Sequence, residues 1–225
     1  MTTSLAPEVK QWAINILDKL FENGFEEVLI FDGVKGKSQN KWIDENEELL
    51  EEMNLFISNG CTKLCIIPAN GDWVIKINYN SRCRDYCYDE VKNYKRAEAA
   101  GIGEYFARSY ELDKDYTYFI EIQEKVETSE DDISDKFYSY VSSSYNKEDF
   151  EDEDEYSEAV EEDICDMSEE ERLRAVFEDS DNIDETTLQK LIRFVDNYEI
   201  NDLHEGNIAI RPSTGHYVLM DYSGY

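Results

Sequence analysis

Three observations predict an α+β protein of two lobes. Apolar residues recur every three or four positions over Glu8 to Asn23, Tyr86 to Ala100 and Glu185 to Asn197, the spacing of helices with one buried face. Two β-rich runs flank Pro68-Ala69-Asn70-Gly71-Asp72, the signature of a hairpin. Charge also changes along the chain: Met1 to Val126 holds 15 basic and 23 acidic residues, whereas Glu127 to Glu185 holds 4 and 25, so a second region begins near Val126.

The elements follow in order. Val9, Trp12, Ala13, Ile16, Leu17, Leu20 and Phe21 make one face of the first helix, which Gly24 ends. Val28 to Phe31 reads as a short buried strand, followed by a loop with Gly33, Gly36 and Lys37. An acidic helix is expected from Asp44 to Phe56, with Leu49, Leu50, Met53 and Phe56 as its packing stripe. Leu64 to Ile67 and Trp73 to Tyr79 form the hairpin, and a helix fits Tyr86 to Ala100, stopped by Gly101 and Gly103. Tyr105 to Leu112 and Tyr116 to Val126 read as a second antiparallel pair around Asp113-Lys114-Asp115. In the acidic region Ser168 and Glu171 make a capping box ahead of Leu173, Val176 and Phe177. Asp184 caps the helix carrying Leu188, Leu191, Ile192 and Val195. Asn207 to Arg211 and Tyr217 to Asp221 close the chain as a hairpin around Pro212 to Gly215.

The 225 residues, 41% of them apolar, suffice for one large domain or two small lobes around a cleft. No apolar run is long enough to span a bilayer and the first residues lack a signal-peptide layout, so a soluble, cytoplasmic protein without membrane contact is expected. The net charge of -31 argues against direct binding of nucleic acid over a broad surface. It leaves basic partners open, and residues 127–185, with the run Glu151-Asp152-Glu153-Asp154-Glu155, are the region to bind one. Two readings stand for that region: a solvated acidic stretch, or an anionic surface, even a mimic of nucleic-acid phosphates. Phe137, Tyr138, Tyr140, Val141, Tyr145, Phe150 and Tyr156 among the acids favour helices with thin apolar stripes. Five cysteines, an odd number, point to free thiols. Cys61 with Cys65 and Cys83 with Cys87 form C-x-x-x-C pairs. On a strand the first pair would span about 13 Å, too far for one zinc ion, and no histidine stands near the second.

The chemistry-bearing stretch is Asn201-Asp202-Leu203-His204-Glu205-Gly206-Asn207, followed after a short hairpin by Leu219-Met220-Asp221-Tyr222-Ser223-Gly224. Phosphoryl transfer from a nucleotide needs a carboxylate to orient the attacking hydroxyl and hard oxygen donors for Mg²⁺. Asp202 and Asn207 have the D-x-x-x-x-N spacing, and Asp221 stands at a strand end where a metal-binding carboxylate would lie.

On these residues the chain resembles the protein-kinase-like superfamily, with wording nearest the aminoglycoside and choline kinase branch. Upstream, Lys76 in Val74-Ile75-Lys76-Ile77 is similar to the V-A-I-K strand. The helix behind it offers Glu90, with Glu98 as second choice, and Tyr118 to Glu127 resembles the strand entering the hinge. The resemblance implies a kinase-like two-lobed α+β fold. Residues 1–57 would form an N-terminal helical extension, 58–126 the N-terminal lobe, and 127–225 a reduced, acidic, mostly helical C-terminal lobe. It further implies ATP and Mg²⁺ as cofactors: Lys76 contacting phosphate, Glu90 orienting Lys76, Glu124, Lys125 and Val126 beside the adenine, Asn207 and Asp221 holding the metal, and Asp202 as the base or orienter for an acceptor hydroxyl.

Ser58-Asn59-Gly60-Cys61-Thr62-Lys63 has one glycine where protein kinases have several, and the glycine of Tyr222-Ser223-Gly224 comes one residue later than in D-F-G. Neither an activation segment nor a peptide groove is expected, so the acceptor is expected to meet the acidic region, if phosphate is transferred at all. The rival reading is a catalytically inactive kinase-like interaction protein whose acidic surface binds or blocks a basic, nucleic-acid-binding partner. Such acidity and economy are expected of a phage-encoded protein.

Overall fold

The computed structural model describes residues 4–30, 37–59, 63–78, 86–112, 116, 118–178 and 180–223. The chain divides into two compact units, Met1–Ala99 with Ala107–Lys125, and Ala100–Phe106 with Val126–Tyr225. Both mix helices with antiparallel sheet.

The first unit starts with α1 (Pro7–Glu22), opened by a proline in its first turn where the missing N–H costs nothing. Gly24, with φ of 82°, reverses the chain directly into α2 (Phe25–Ile30). Two short helices, α3 (Lys37–Glu45) and α4 (Glu47–Glu52), precede the sheet. Its strands are β1 (Leu55–Asn59), β2 (Lys63–Pro68) and β3 (Trp73–Asn78), then, after α5 (Tyr86–Ala100), β4 (Ser109–Glu111) and β5 (Ile120–Glu124). The order is β1-β2-β3-β5-β4, antiparallel throughout.

Strand alternation gives this sheet two unlike faces. Leu55, Ile57, Leu64, Ile66, Ile75, Ile77, Ile120 and Ile122 share one apolar core with Ala13, Leu17 and Leu20 of α1, Phe25 and Leu29 of α2, Trp42 of α3 and Leu50 of α4. Trp42 Nε1 also donates to Asn23 O at 2.9 Å, fastening α3 to the end of α1. The opposite face carries Lys63, Lys76, Glu121, Gln123 and Ser109, all buried. Helix α5 meets this polar set through Glu90, and its buried positions Cys87, Glu90, Val91, Tyr94 and Ala97 follow helical spacing.

The second unit holds a 3₁₀ turn (Gly103–Tyr105), β6 (Glu127–Thr128), α6 (Glu130–Ser142), α7 (Glu153–Asp166), α8 (Glu169–Phe177), α9 (Glu185–Asn197), β7 (Ile208–Arg211) and β8 (His216–Leu219). Its sheet has the order β6-β7-β8. Phe106 is fully buried, edge-on to Phe194 of α9 and to Tyr222, so a segment from before the acidic region fills the core of this unit. Arg211 fixes it there, donating to Glu104 O at 2.8 Å and Phe106 O at 2.9 Å. Asp184 accepts from Thr187 N at 2.7 Å as the N-cap of α9, and the capping box of Ser168 and Glu171 opens α8. The acidic run is helical from Glu153 onward, anchored by Tyr156 and Val160.

Three elements differ from the sequence expectation. Val28 to Ile30 lie in α2, not a strand, because Phe25 and Leu29 stand one helical turn apart and both enter the core; a short apolar run fits either period. Phe31, Gly33 and Gly36 lie outside the described residues. The helix expected over 44–56 is two helices and a strand: Asn54 takes φ of 52°, ending the helical part, and Leu55 to Asn59 pair with β2 instead. The extended run expected from Tyr105 begins as a 3₁₀ turn, leaving only Ser109–Glu111 as strand. No helix among the described residues is long and apolar enough to cross a membrane.

Candidate functional site

In the first unit the polar sheet face closes on one carboxylate. Lys76 pairs with Glu121 across β3 and β5 and with Cys65 across β2 and β3; Lys63 pairs with Asn78, so it is the diagonal neighbour of Lys76 on the same face. Glu90, fully buried on α5, accepts from Lys76 Nζ at 3.1 Å on Oε2 and from Lys63 Nζ on Oε1. Gln123 Nε2 donates to Glu90 Oε2 at 3.1 Å and also lies 3.2 Å from Ser109 Oγ and from Glu121 Oε1. Ser109 Oγ donates to the same Glu121 oxygen, whereas Glu121 Oε2 is buried without a hydrogen-bond partner. Two lysines and two glutamates are thus enclosed together, an arrangement that survives burial only because the charges face one another. Burial pushes the Cys87 thiol well up, with the nearby Glu121 and Glu90 carboxylates adding and Lys63 and Lys76 opposing, so Cys87 stays protonated.

Lys76 and Glu90, which the resemblance would pair, are in direct contact. Glu98, the other glutamate of α5, is half-buried, eight residues further on. Glu124 is buried and its side chain is held: Oε1 accepts from Arg108 Nη2 at 2.9 Å and Oε2 from Arg108 N at 3.2 Å. Its own N–H donates to Arg108 O, and the N–H of Lys125 donates to Asp72 O, both at 2.8 Å. Val126, half-buried, is the first residue of the second unit after Lys125.

In the second unit the loop before β7 is held at several points. Asn207 Nδ2 donates to Asp202 O at 2.7 Å, and Asn207 O accepts from Met220 N at 2.9 Å, which brings the residue before Asp221 against the loop. Asp221 follows β8 with φ of 57°. Asp202 is exposed, its carboxylate 4.0 Å from His204 Nε2, while His204 Nδ1 accepts from Gly206 N at 3.0 Å. A Cβ at Gly206 would stand 2.8 Å from the His204 ring, so any other residue there displaces that ring. Glu169 at the start of α8 accepts from Leu203 N at 3.2 Å; burial raises its carboxyl above the usual range, against the pull of Arg172.

Sequence reasoning missed Lys63, Glu121, Gln123 and Ser109 as members of a site, and took Lys63 only as the end of a loop. The signal was present: two residues before Cys65, Lys63 shares the face of any residue paired with Cys65. Cys61 and Cys83 lie outside the described residues; Cys65, Cys87 and Cys165 are free thiols. Among the described residues no group of three His, Cys, Asp or Glu side chains could hold a metal ion. Asn207 and Asp221 each carry a hard oxygen donor of the kind that Mg²⁺ takes, with phosphate and water to complete its shell. No family model matches this chain, and no curated protein or solved structure matches it.

Proposed function

We propose that this chain is an ATP- and Mg²⁺-dependent phosphotransferase with kinase-like organisation, acting on a hydroxyl acceptor. The observation that carries the reading is the buried ion pair between Lys76 on β3 and Glu90 on α5, the strand lysine and helix glutamate that such a phosphate site requires. Held by the helix glutamate, the Lys76 ammonium is in the pairing that orients such a lysine for a phosphate. In the second unit Asn207, whose Nδ2 is tied to Asp202 O, presents its amide oxygen with the Asp221 carboxylate as the metal-holding pair. Exposed Asp202 is the base that takes the proton of the acceptor hydroxyl, and Glu169 and Gly206 position its loop. When bound, ATP with Mg²⁺ supplies the transferable phosphoryl group and the neutralisation of its charge.

The test is a calorimetric titration of ATP with and without Mg²⁺, on the wild type and on Asp221→Ala, followed by transfer of labelled phosphate to aminoglycoside and amino-alcohol acceptors. Mg²⁺-dependent binding that Asp221→Ala removes supports the reading, and Asp202→Ala is expected to abolish transfer while leaving nucleotide binding. Transfer that survives in Asp202→Ala overturns the assignment of the base.

A second reading, the inactive interaction protein, is favoured by α7, where eight acidic residues from Glu153 to Asp166 are all exposed. Capture of a basic partner by this surface would weaken steeply with ionic strength. Retention on a polylysine matrix that ignored salt would speak against it.

A further inference from the structure

We infer that a cavity between the start of α1 and the β2–β3 turn binds a quaternary ammonium group, with Trp12 and Trp73 as its aromatic wall and Glu8 and Asp72 as its counter-charges. The cavity has a volume of about 180 Å³, and Val9 and Gly71 complete its lining. All six residues belong to the first unit, and none is part of the site built on Lys76 and Glu90. Glu8 and Val9 precede Trp12 by four and three positions, so the three share one side of α1. Asp72 and Trp73 lead from the turn into β3, and Gly71, with φ of 131°, makes the bend that brings them round. Val9, Trp12 and Trp73 are half-buried, packed against the core and lining the cavity, whereas Glu8 and Asp72 are exposed.

The wall and the charges select the ligand together. An indole face attracts a cation more strongly than any other aromatic side chain. Trp73 already holds one, the Arg108 guanidinium 5.2 Å from its ring centre. Arg108 is bonded to Glu124 at 2.9 Å and does not line the cavity, which therefore meets Trp73 away from it. Lys125 is turned elsewhere, its Nζ donating to Pro68 O at 2.9 Å. The lining thus carries two carboxylates and no basic side chain. An indole nitrogen only donates, and the side chains of Val9 and Gly71 offer no acceptor. A lysine ammonium or a guanidinium that entered between the indoles would bury N–H donors that no side chain of the wall accepts, at a heavy cost. A quaternary ammonium has no N–H; it lays methyl groups on the wall and keeps its charge for the ring faces and the carboxylates. A neutral apolar group would use the wall and leave both carboxylates without a role.

The experiment is an NMR titration of the intact chain, following the indole N–H signals of Trp12 and Trp73. The probe is tetramethylammonium chloride, compared with sodium chloride at equal ionic strength and with tert-butanol as a neutral molecule of similar size. Saturable shifts of both signals are expected with tetramethylammonium, and much weaker binding of tert-butanol. No saturable shift, or equal affinity for tert-butanol, overturns the inference. Trp12→Leu, which keeps an apolar wall without the ring, is expected to weaken binding about five- to thirtyfold, with Trp12→Phe retaining part of it. Glu8→Gln combined with Asp72→Asn is expected to weaken binding and to flatten its dependence on salt. A folded Trp12→Leu that binds tetramethylammonium like the wild type overturns the inference. Two sources of the ligand are separated by comparing free trimethyllysine with a lysine-rich peptide carrying it. Tighter binding of the peptide supports a methylated segment of a basic protein as the ligand, and equal binding supports a free amine.

Discussion

Replacing Glu90 by leucine removes, at a fully buried position, the acceptor shared by Lys63, Lys76 and Gln123. Stranding one partner of a buried ion pair costs about 3–5 kcal/mol. Here two ammoniums and an amide lose a shared acceptor at once, so a cost within that range is expected for Glu90→Leu. Removing one lysine as well takes away one of the two ammoniums that Glu90→Leu deprives of its carboxylate. The double variant Lys76→Met/Glu90→Leu is accordingly expected to be more stable than Glu90→Leu alone, with a coupling of about 1–3 kcal/mol in the mutant cycle. The assay is urea unfolding followed by tryptophan fluorescence, since Trp12, Trp42 and Trp73 all belong to the first unit and report on it alone. A Glu90→Leu variant within about 1 kcal/mol of the wild type would refute the claim that this carboxylate holds the network together.

Further outcomes concern the second unit. Arg211→Met removes the donor to Glu104 O and to the buried Phe106 O, and is expected to destabilise by about 1–3 kcal/mol in urea unfolding followed by circular dichroism, with tryptophan emission unchanged. Ser168→Ala breaks the capping box of α8 at a cost of about 1 kcal/mol. The hydroxyl and backbone N–H of Ser168 hold the Glu171 carboxyl below its usual range, so this contribution is complete above the ordinary glutamate value and fades as pH falls through the lowered one. In Ser168→Ala the Glu171 titration followed by NMR returns upward. Burial, aided by the bond to Asp132, pushes Tyr217 up to about 12, so the neutral phenol stabilises the fold up to the ordinary tyrosine range and the effect is lost as pH rises toward 12. Asp132→Asn is expected to lower that late ionisation in an absorbance titration at alkaline pH; an unchanged curve would remove Asp132 as a cause.

Where an element carries its own boundary signals and long periodicity, the sequence is enough. The helix over Glu185–Asn197 with its Asp184 cap, the capping box at Ser168, and the hairpin around Asn70-Gly71 are local decisions, made by hydrogen bonds and spacing within a few residues. Short apolar runs are different: Val28 to Ile30 and Leu55 to Asn59 suit either state, and whether they coil or extend is decided by what they pack on or pair with.

The candidate site divides in the same way. Spacing brings forward Asp202, Asn207 and Asp221 as candidates, and the resemblance to the kinase-like superfamily adds Lys76 and Glu90. The acidic residues of α7 lie outward as their charge predicts, with the apolar Tyr156 and Val160 taking the buried positions. Only the tertiary structure decides that Glu90 serves two lysines, that Gln123 and Glu121 complete the buried face, and that Arg211 holds the segment from Glu104 to Phe106, more than a hundred residues away. These facts depend on strand register and on which face a helix covers. Pairings between distant residues leave little local trace in the chain that makes them.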